Sequence, residues 1–245
     1  MILYNTSLGV AAGVAMITTV RFWAKVRDAG VPAVIRRRPT DYNARAEVGV
    51  IDRKRETDLD AADIAPTFFA LGIILTGLGG AMTLTHPLTA SPPVNIIFGE
   101  PCLWLGVLLL ASCFQLSCLG GFSIGAIKAA SPMVFALGLI LAACSAAILR
   151  FTLIGAAPAE EPITGLLSDY PVIENTFFVL LYALSAAGAL AFPWLTLRGA
   201  DVAWVAVRWS WSIAGWGFLV FSALNFYTHV GLMVNLSRPG ANFSF

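Results

Sequence analysis

A chain of 245 residues with 58% hydrophobic and only 12% charged side chains, and a mean hydropathy of +0.80, is composed for a bilayer rather than for water. Its formal net charge of +1 gives no bulk electrostatic case for a nucleic-acid partner. Only the segment from Lys25 to Asp63 is long enough between apolar stretches to hold structure of its own, which leaves no room among these residues for a soluble catalytic domain.

Six apolar stretches, at 3–24, 64–85, 101–121, 133–154, 176–197 and 209–234, each approach or exceed the roughly twenty residues that cross hydrocarbon. The expected fold is all-α: one membrane domain over 1–245, with six transmembrane helices and both termini outside. The first stretch has no Lys or Arg from Met1 to Val20, so it lacks the basic start of a secretory signal and is read as a span. Arg21, Lys25 and Arg27 follow it, and the 25–63 loop adds Arg36, Arg37, Arg38, Arg45, Arg53, Lys54 and Arg55. Basic residues hold their side of a span in the cytoplasm, which places this loop inside and the N-terminus outside. Lys128, Arg198 and Arg208 then fall in inner loops, while Glu100, Glu160, Glu161, Asp169 and Glu174 fall in outer ones; Arg150 and Arg238 are the exceptions. Acids from Asp28 to Asp63 interleave with the basic runs, so the loop reads as solvated and orienting rather than as a binder of anionic lipid. The surroundings implied are the lipid bilayer of a prokaryotic inner or plasma membrane.

Asp63 and Pro66 suit the start of the second helix, whose Gly72, Gly77, Gly79 and Gly80 offer close approach to a neighbour, with Gly77 and Gly80 the expected contacts. The short, Pro-rich connection from His86 to Glu100 makes the third helix its partner, with Glu100 at the helix start, Pro101 at the first helical position, and Gly120, Gly121 and Gly125 at its end. Cys102, Cys113, Cys118 and Cys144 show no CxxC spacing and read as small core residues. Near the last two spans, Trp194, Trp204, Trp209, Trp211 and Trp216 are placed to form an inner-interface aromatic belt, with Gly215 and Gly217 among them for packing.

Depth brings the two histidines to one leaflet. His86 lies about 33 Å along a helix started at Ile64, and His229 about 30 Å along one started at Trp209. Met82 and Met233 each sit four residues from a histidine, on the same helix face, and Asn225 extends the second row by a turn. Glu100 and Glu174 open the third and fifth spans at this level, and Arg150 lies near the outer end of the fourth, where it and Glu100 are placed to neutralise one another. Imidazole and thioether suit copper or haem iron, and a carboxylate can orient an imidazole. The candidate metal set is therefore His86, His229, Met82, Met233 and Glu100, with Arg150, Glu174 and Asn225 beside it. Each member also has a structural reading: His86 before Pro87 as a helix terminus, His229 with Tyr227 as an interfacial pair, the methionines as lipid-facing filler, and Glu100 before Pro101 as a helix start.

No HExxH, phosphate loop, GxSxG elbow or nucleotide signature is present, so an enzyme acting alone has no residues to rest on. The stretches APTFFALGIILTGLGG, from Ala65 to Gly80, and NIIFGEPCLWLGVLLLASC, with Phe98, Gly99, Glu100 and Pro101, resemble an uncharacterised family of archaeal and actinobacterial integral membrane proteins, a domain of unknown function with about six spans. The resemblance implies the six-helix membrane fold and assigns no activity. The readings are a non-catalytic subunit or accessory protein of a larger membrane complex, with other membrane subunits or copies of itself as partners; a haem- or copper-binding redox protein; and a small secondary transporter. For the last, carboxylates are missing from the midplane.

The topology is checked by cysteine labelling in a variant lacking the native cysteines. A membrane-impermeant maleimide should reach a cysteine at Ala44 only from the cytoplasmic face and one in a C-terminal tag only from the other. The reverse pattern overturns the assignment.

Overall fold

The computed structural model describes residues 2–28, 61–89, 91–118, 124–155 and 157–237. Six helices carry the chain: α1 (Ile2–Asp28), α2 (Ala65–Thr85), α3 (Pro92–Cys118), α4 (Ile124–Phe151), α5 (Pro171–Arg198) and α6 (Asp201–Ser237), with single 3₁₀ turns at Ala61–Ile64 and Thr164–Leu167. All six are long and apolar enough to cross a membrane. They are helices because such runs, free of water, must pair their backbone groups within the segment. The charged run with Arg36–Arg38 and Arg53–Arg55 lies outside the described residues, as do Gly120, Gly121 and Arg238.

Four helices begin earlier than hydropathy places them: α4 at Ile124 rather than 133, which takes in Gly125 and Lys128, α5 at Pro171 rather than 176, and the third and sixth. The third starts at Pro92, so Glu100 and Pro101 are not its first turn; Pro101 lies inside it. Proline lacks the N–H that would pair with the carbonyl four residues back, here Ile97. Tyr182 of α5 supplies the missing donor, its hydroxyl bonding the Ile97 carbonyl at 2.9 Å. The sixth starts at Asp201, separated from α5 only by Gly199 and Ala200. Gly199 takes the left-handed conformation (φ 63°) that a C-terminal glycine adopts without strain, and its N–H closes on the Leu195 carbonyl at 3.0 Å.

The helices stand in sequence order around a ring. α1 packs on α2 and α6, α2 on α3, α4 on α5, and α5 on α6, while α3 and α4 scarcely touch. Glycine seams fix the closest contacts. On the α1–α6 seam a Cβ at Gly13 would lie 2.6 Å from the Gly215 carbonyl, and Gly9 faces the Ser222 side chain. On the α2–α3 seam, a Cβ at Gly79 would lie 2.7 Å from the Leu103 backbone, and Gly72, Gly99 and Gly106 are equally closed. Gly77 meets nothing within 4 Å, and Gly80 only Leu103 Cδ1 at 3.8 Å, so the expected contact at these two positions moves to Gly72 and Gly79. Residues 72, 76, 79 and 83 form one stripe at helical spacing, and 77 and 80 turn away from it.

The tryptophans divide. Trp194, Trp209 and Trp216 are exposed, as a belt requires, whereas Trp211 is a core residue. It stacks on Phe192 at 5.9 Å, and its Nε1–H donates to the Ser185 carbonyl at 3.1 Å over Gly188. Trp204 lies beneath the Arg27 guanidinium, which pairs with Asp201 and joins the ends of α1 and α6. The four cysteines are free.

Replacing Gly79 by Leu should cost about 1–3 kcal/mol through overpacking, read as a lower thermal midpoint in detergent. Gly77→Leu should leave the midpoint unchanged. Equal effects would remove the seam from the account.

Candidate functional site

The ring encloses a cavity of about 740 Å³. Its lining on α1 runs from Asn5 to Trp23, a depth of about 27 Å at the helical rise. Apolar and aromatic side chains form most of the wall. Towards the other end the lining passes onto exposed Val107, Ala111, Ala129 and Met133 along the edges of α3 and α4, where the ring stands open.

Polar groups gather at the end formed by the start of α1, the start of α5 and the second half of α6. Gly9 faces Ser222 and the Phe218 carbonyl, so one turn back along α1 puts Asn5 level with Asn225. Phe178 packs on Phe218 and Phe221, so one turn back along α5 brings Glu174 to the same level. Asn5, Glu174, Asn225 and His229 all line the cavity. Beneath them lies a shelf of rings centred on Phe178, which meets Phe98 at 5.6 Å and Phe221 at 5.2 Å, edge to face.

The described residues of the segment between α4 and α5, 152–155 and 157–170, fold over this end as a cover. Ile154 is buried and its N–H donates to Asn175 Oδ1 at 3.2 Å. Pro162 lies directly on Gly231 of α6, where a Cβ would come within 2.9 Å of the proline Cδ, and Asn235 Nδ2 donates to the Glu160 carbonyl at 2.6 Å. Next to Pro162 the chain makes a tight three-residue turn, Thr164 N–H to the Pro162 carbonyl at 2.7 Å. Its centre, Ile163, is held at φ 65°, a strained setting for a β-branched residue. This path buries the Glu161 side chain and sets its Oε1 3.8 Å from His229 Nε2, a charge contact longer than a hydrogen bond. Glu174 accepts from the Ala157 backbone N–H and lies within electrostatic reach of Glu161. His229 Nδ1 and Asn5 Oδ1 are buried without a hydrogen-bond partner.

The residues singled out from the sequence are divided by the fold. His229, Glu174 and Asn225 come together; the rest of the set does not join them. Met82 is fully buried in the packing of α1, α2 and α3, away from the cavity wall. His86 is exposed and closes α2, its left-handed backbone (φ 46°) turning the chain off the Met82 face. Met233 is 58% exposed on the outside of α6. Glu100 is half-buried on α3 and is not part of the wall. Arg150 is exposed, its guanidinium 5.7 Å over the Phe151 ring. Among the described residues no group of three or more His, Cys, Asp or Glu could hold a metal ion, and of the five candidate metal residues His229 alone is on the cavity wall. The common-depth argument for the five holds no information on helix rotation, and rotation separates them. Asn5 and Glu161 enter the site unforeseen. Asn5 is a polar residue inside an apolar stretch, a signal visible in the sequence, whereas nothing distinguishes Glu161 from its neighbour Glu160.

The family model described as Protein of unknown function (DUF981) matches residues 1–231, and the chain belongs to that family. Neither the curated proteins nor the solved structures yield a match.

The cover is tested with the two histidines as internal controls. Diethyl pyrocarbonate should modify exposed His86 readily and His229 slowly. Gly231→Leu, which drives Pro162 off α6, should speed modification at His229 several-fold and leave His86 unchanged. An unaltered His229 rate would show that Pro162 does not hold the cover.

Proposed function

We propose that this protein is a non-catalytic membrane protein that holds one lipid-like molecule inside its helix ring, admitted sideways between α3 and α4. The observation that carries this reading is the cavity itself: elongated, apolar through most of its depth, polar at one closed end and open along one helix edge. Its volume, about 740 Å³, falls in the range of sites that enclose most of a small ligand. A molecule already dissolved in the bilayer meets the α3–α4 edge without leaving hydrocarbon, and its polar end is then matched at the covered end of the ring. The proposed setting is the inner or plasma membrane of a prokaryotic cell, with the cover on the outer side, as the basic-residue asymmetry favours.

The open edge also favours a second reading, in which a helix of another subunit, or of a second copy, seals the gap and the protein acts as an accessory subunit. A photo-crosslinker at Val107 separates the two, since it captures lipid in one case and polypeptide in the other.

Mass spectrometry of lipid extracted from the purified protein tests the main reading. Ala111→Trp and Ala130→Trp fill the gap from either edge at positions that are not fully buried. Each should lower co-purified ligand by roughly tenfold, the equivalent of about 1–3 kcal/mol of overpacking, with little change in thermal midpoint. Unchanged lipid content in both would count against a lateral entrance.

A further inference from the structure

The polar end of the cavity has a chemical bias that narrows its occupant. We infer that the ligand carries an uncharged hydroxyl head on a hydrocarbon chain, held by Asn5, Asn225, Glu174 and His229; this rests on the cavity being a lipid site.

Charge excludes an anionic head. Among the described residues the lining contains no Lys or Arg, and the titratable groups at the polar end are Glu174 on α5, His229 on α6 and, behind it, Glu161 on the cover. A phosphate or carboxylate placed there would find no basic side chain of the described residues except the His229 imidazole, in surroundings where an unpaired charge is costly to bury. Arg150 gives no relief, since it points over Phe151 and is not part of the wall.

Hydrogen-bond capacity then separates the remaining heads. Asn5 Oδ1 is an unpaired acceptor and requires a donor from the ligand. His229 Nδ1 is also unpaired and either donates or accepts, according to its tautomer. A hydroxyl has one hydrogen to give and can also accept: with Nδ1 protonated it donates to Asn5 and accepts from His229, and with Nδ1 unprotonated its one hydrogen meets one of the two acceptors. A quaternary ammonium has no donor and leaves Asn5 unpaired. A primary ammonium donates but cannot accept, and its attraction to carboxylate is weakened because Glu161 already faces His229 and Glu174 already takes the Ala157 N–H. Directly below the head, Phe98, Phe178, Phe218 and Phe221 give an aromatic wall suited either to the first carbons of an acyl chain or to the ring of a hydroquinone. Both sources present the same hydroxyl.

Trp23 and Trp211 line the cavity and report occupancy through their fluorescence. Delipidated full-length protein in detergent is titrated with monoolein, a prenylated hydroquinone, oleyl phosphate and oleyl trimethylammonium. At least one hydroxyl ligand should bind about tenfold or more tightly than the phosphate and the ammonium, the scale of one buried polar group left unpaired. Monoolein against the hydroquinone distinguishes an acyl from a ring source. Asn5→Leu and Asn225→Leu should each remove most of this preference while retaining affinity for the chain, and two variants on different helices guard against one that fails to fold. Equal binding of all four ligands, or tightest binding of the phosphate or the ammonium, overturns the hydroxyl assignment and leaves the lipid cavity standing. Binding of none of them overturns both.

Discussion

Close approach of backbones across glycine sets the shape of this molecule. Lipid chains are as apolar as leucine, so helices in a bilayer gain little from hiding apolar side chains and depend on intimate contact instead. Two seams provide it: Gly9, Gly13 and Gly215 between α1 and α6, and Gly72, Gly79, Gly99 and Gly106 between α2 and α3. The glycines of α3 in these contacts are spent on α2, and Gly138 of α4 faces Leu190 of α5. Among the described residues no comparable glycine contact joins α3 to α4. The open edge of the ring is therefore a consequence of where the small residues lie, and the cavity behind it is the space that large side chains on the remaining faces do not fill.

What keeps α3 from drifting away along this edge is a polar contact across the ring. Pro101 deprives the Ile97 carbonyl of its helical partner, and in a water-free interior an unpaired carbonyl costs several kcal/mol. The Tyr182 hydroxyl restores the bond and ties α3 to α5 at the level of the aromatic shelf. Beyond that tie, from Leu105 to Gln115, α3 lines the opening. Ser145 to the Val179 carbonyl and Ser131 to Thr196 bind α4 to α5 in turn. The tie of α3 to α5 thus lies towards the covered end, away from the stretch of α3 that lines the opening.

The sequence shows the spans because hydropathy over twenty residues survives any detail of packing. It misplaces the starts of α3, α4 and α6 because Pro92, Asn95, Lys128, Pro132, Asp201 and Arg208 look like loop residues, yet the helices carry them past the apolar stretch. Asn95 is accommodated by bonding the Leu88 N–H and carbonyl, closing the turn from α2. Rotation is not legible, because helices apolar on every side show no stripe to orient them. That is why Gly77 and Gly79 cannot be told apart in the sequence, and why His229, Glu174 and Asn225 share a site that Met82, His86, Met233, Glu100 and Arg150 do not. Glu161 owes its burial to Pro162 seated on Gly231, a contact between segments about seventy residues apart that no local pattern encodes.

One imidazole links the cover to the cavity. His229 presents Nε2 to Glu161 of the cover and Nδ1 to the interior, and the two nitrogens are not independent, since a proton on one fixes the role of the other in the neutral ring. In the proposed complex, a hydroxyl that donates to Nδ1 would leave the imidazole proton on Nε2, on the side of Glu161, 3.8 Å away. Under the proposed reading, a ligand head at Nδ1 and the cover at Nε2 would act on one ring, so each would alter the hold of the other.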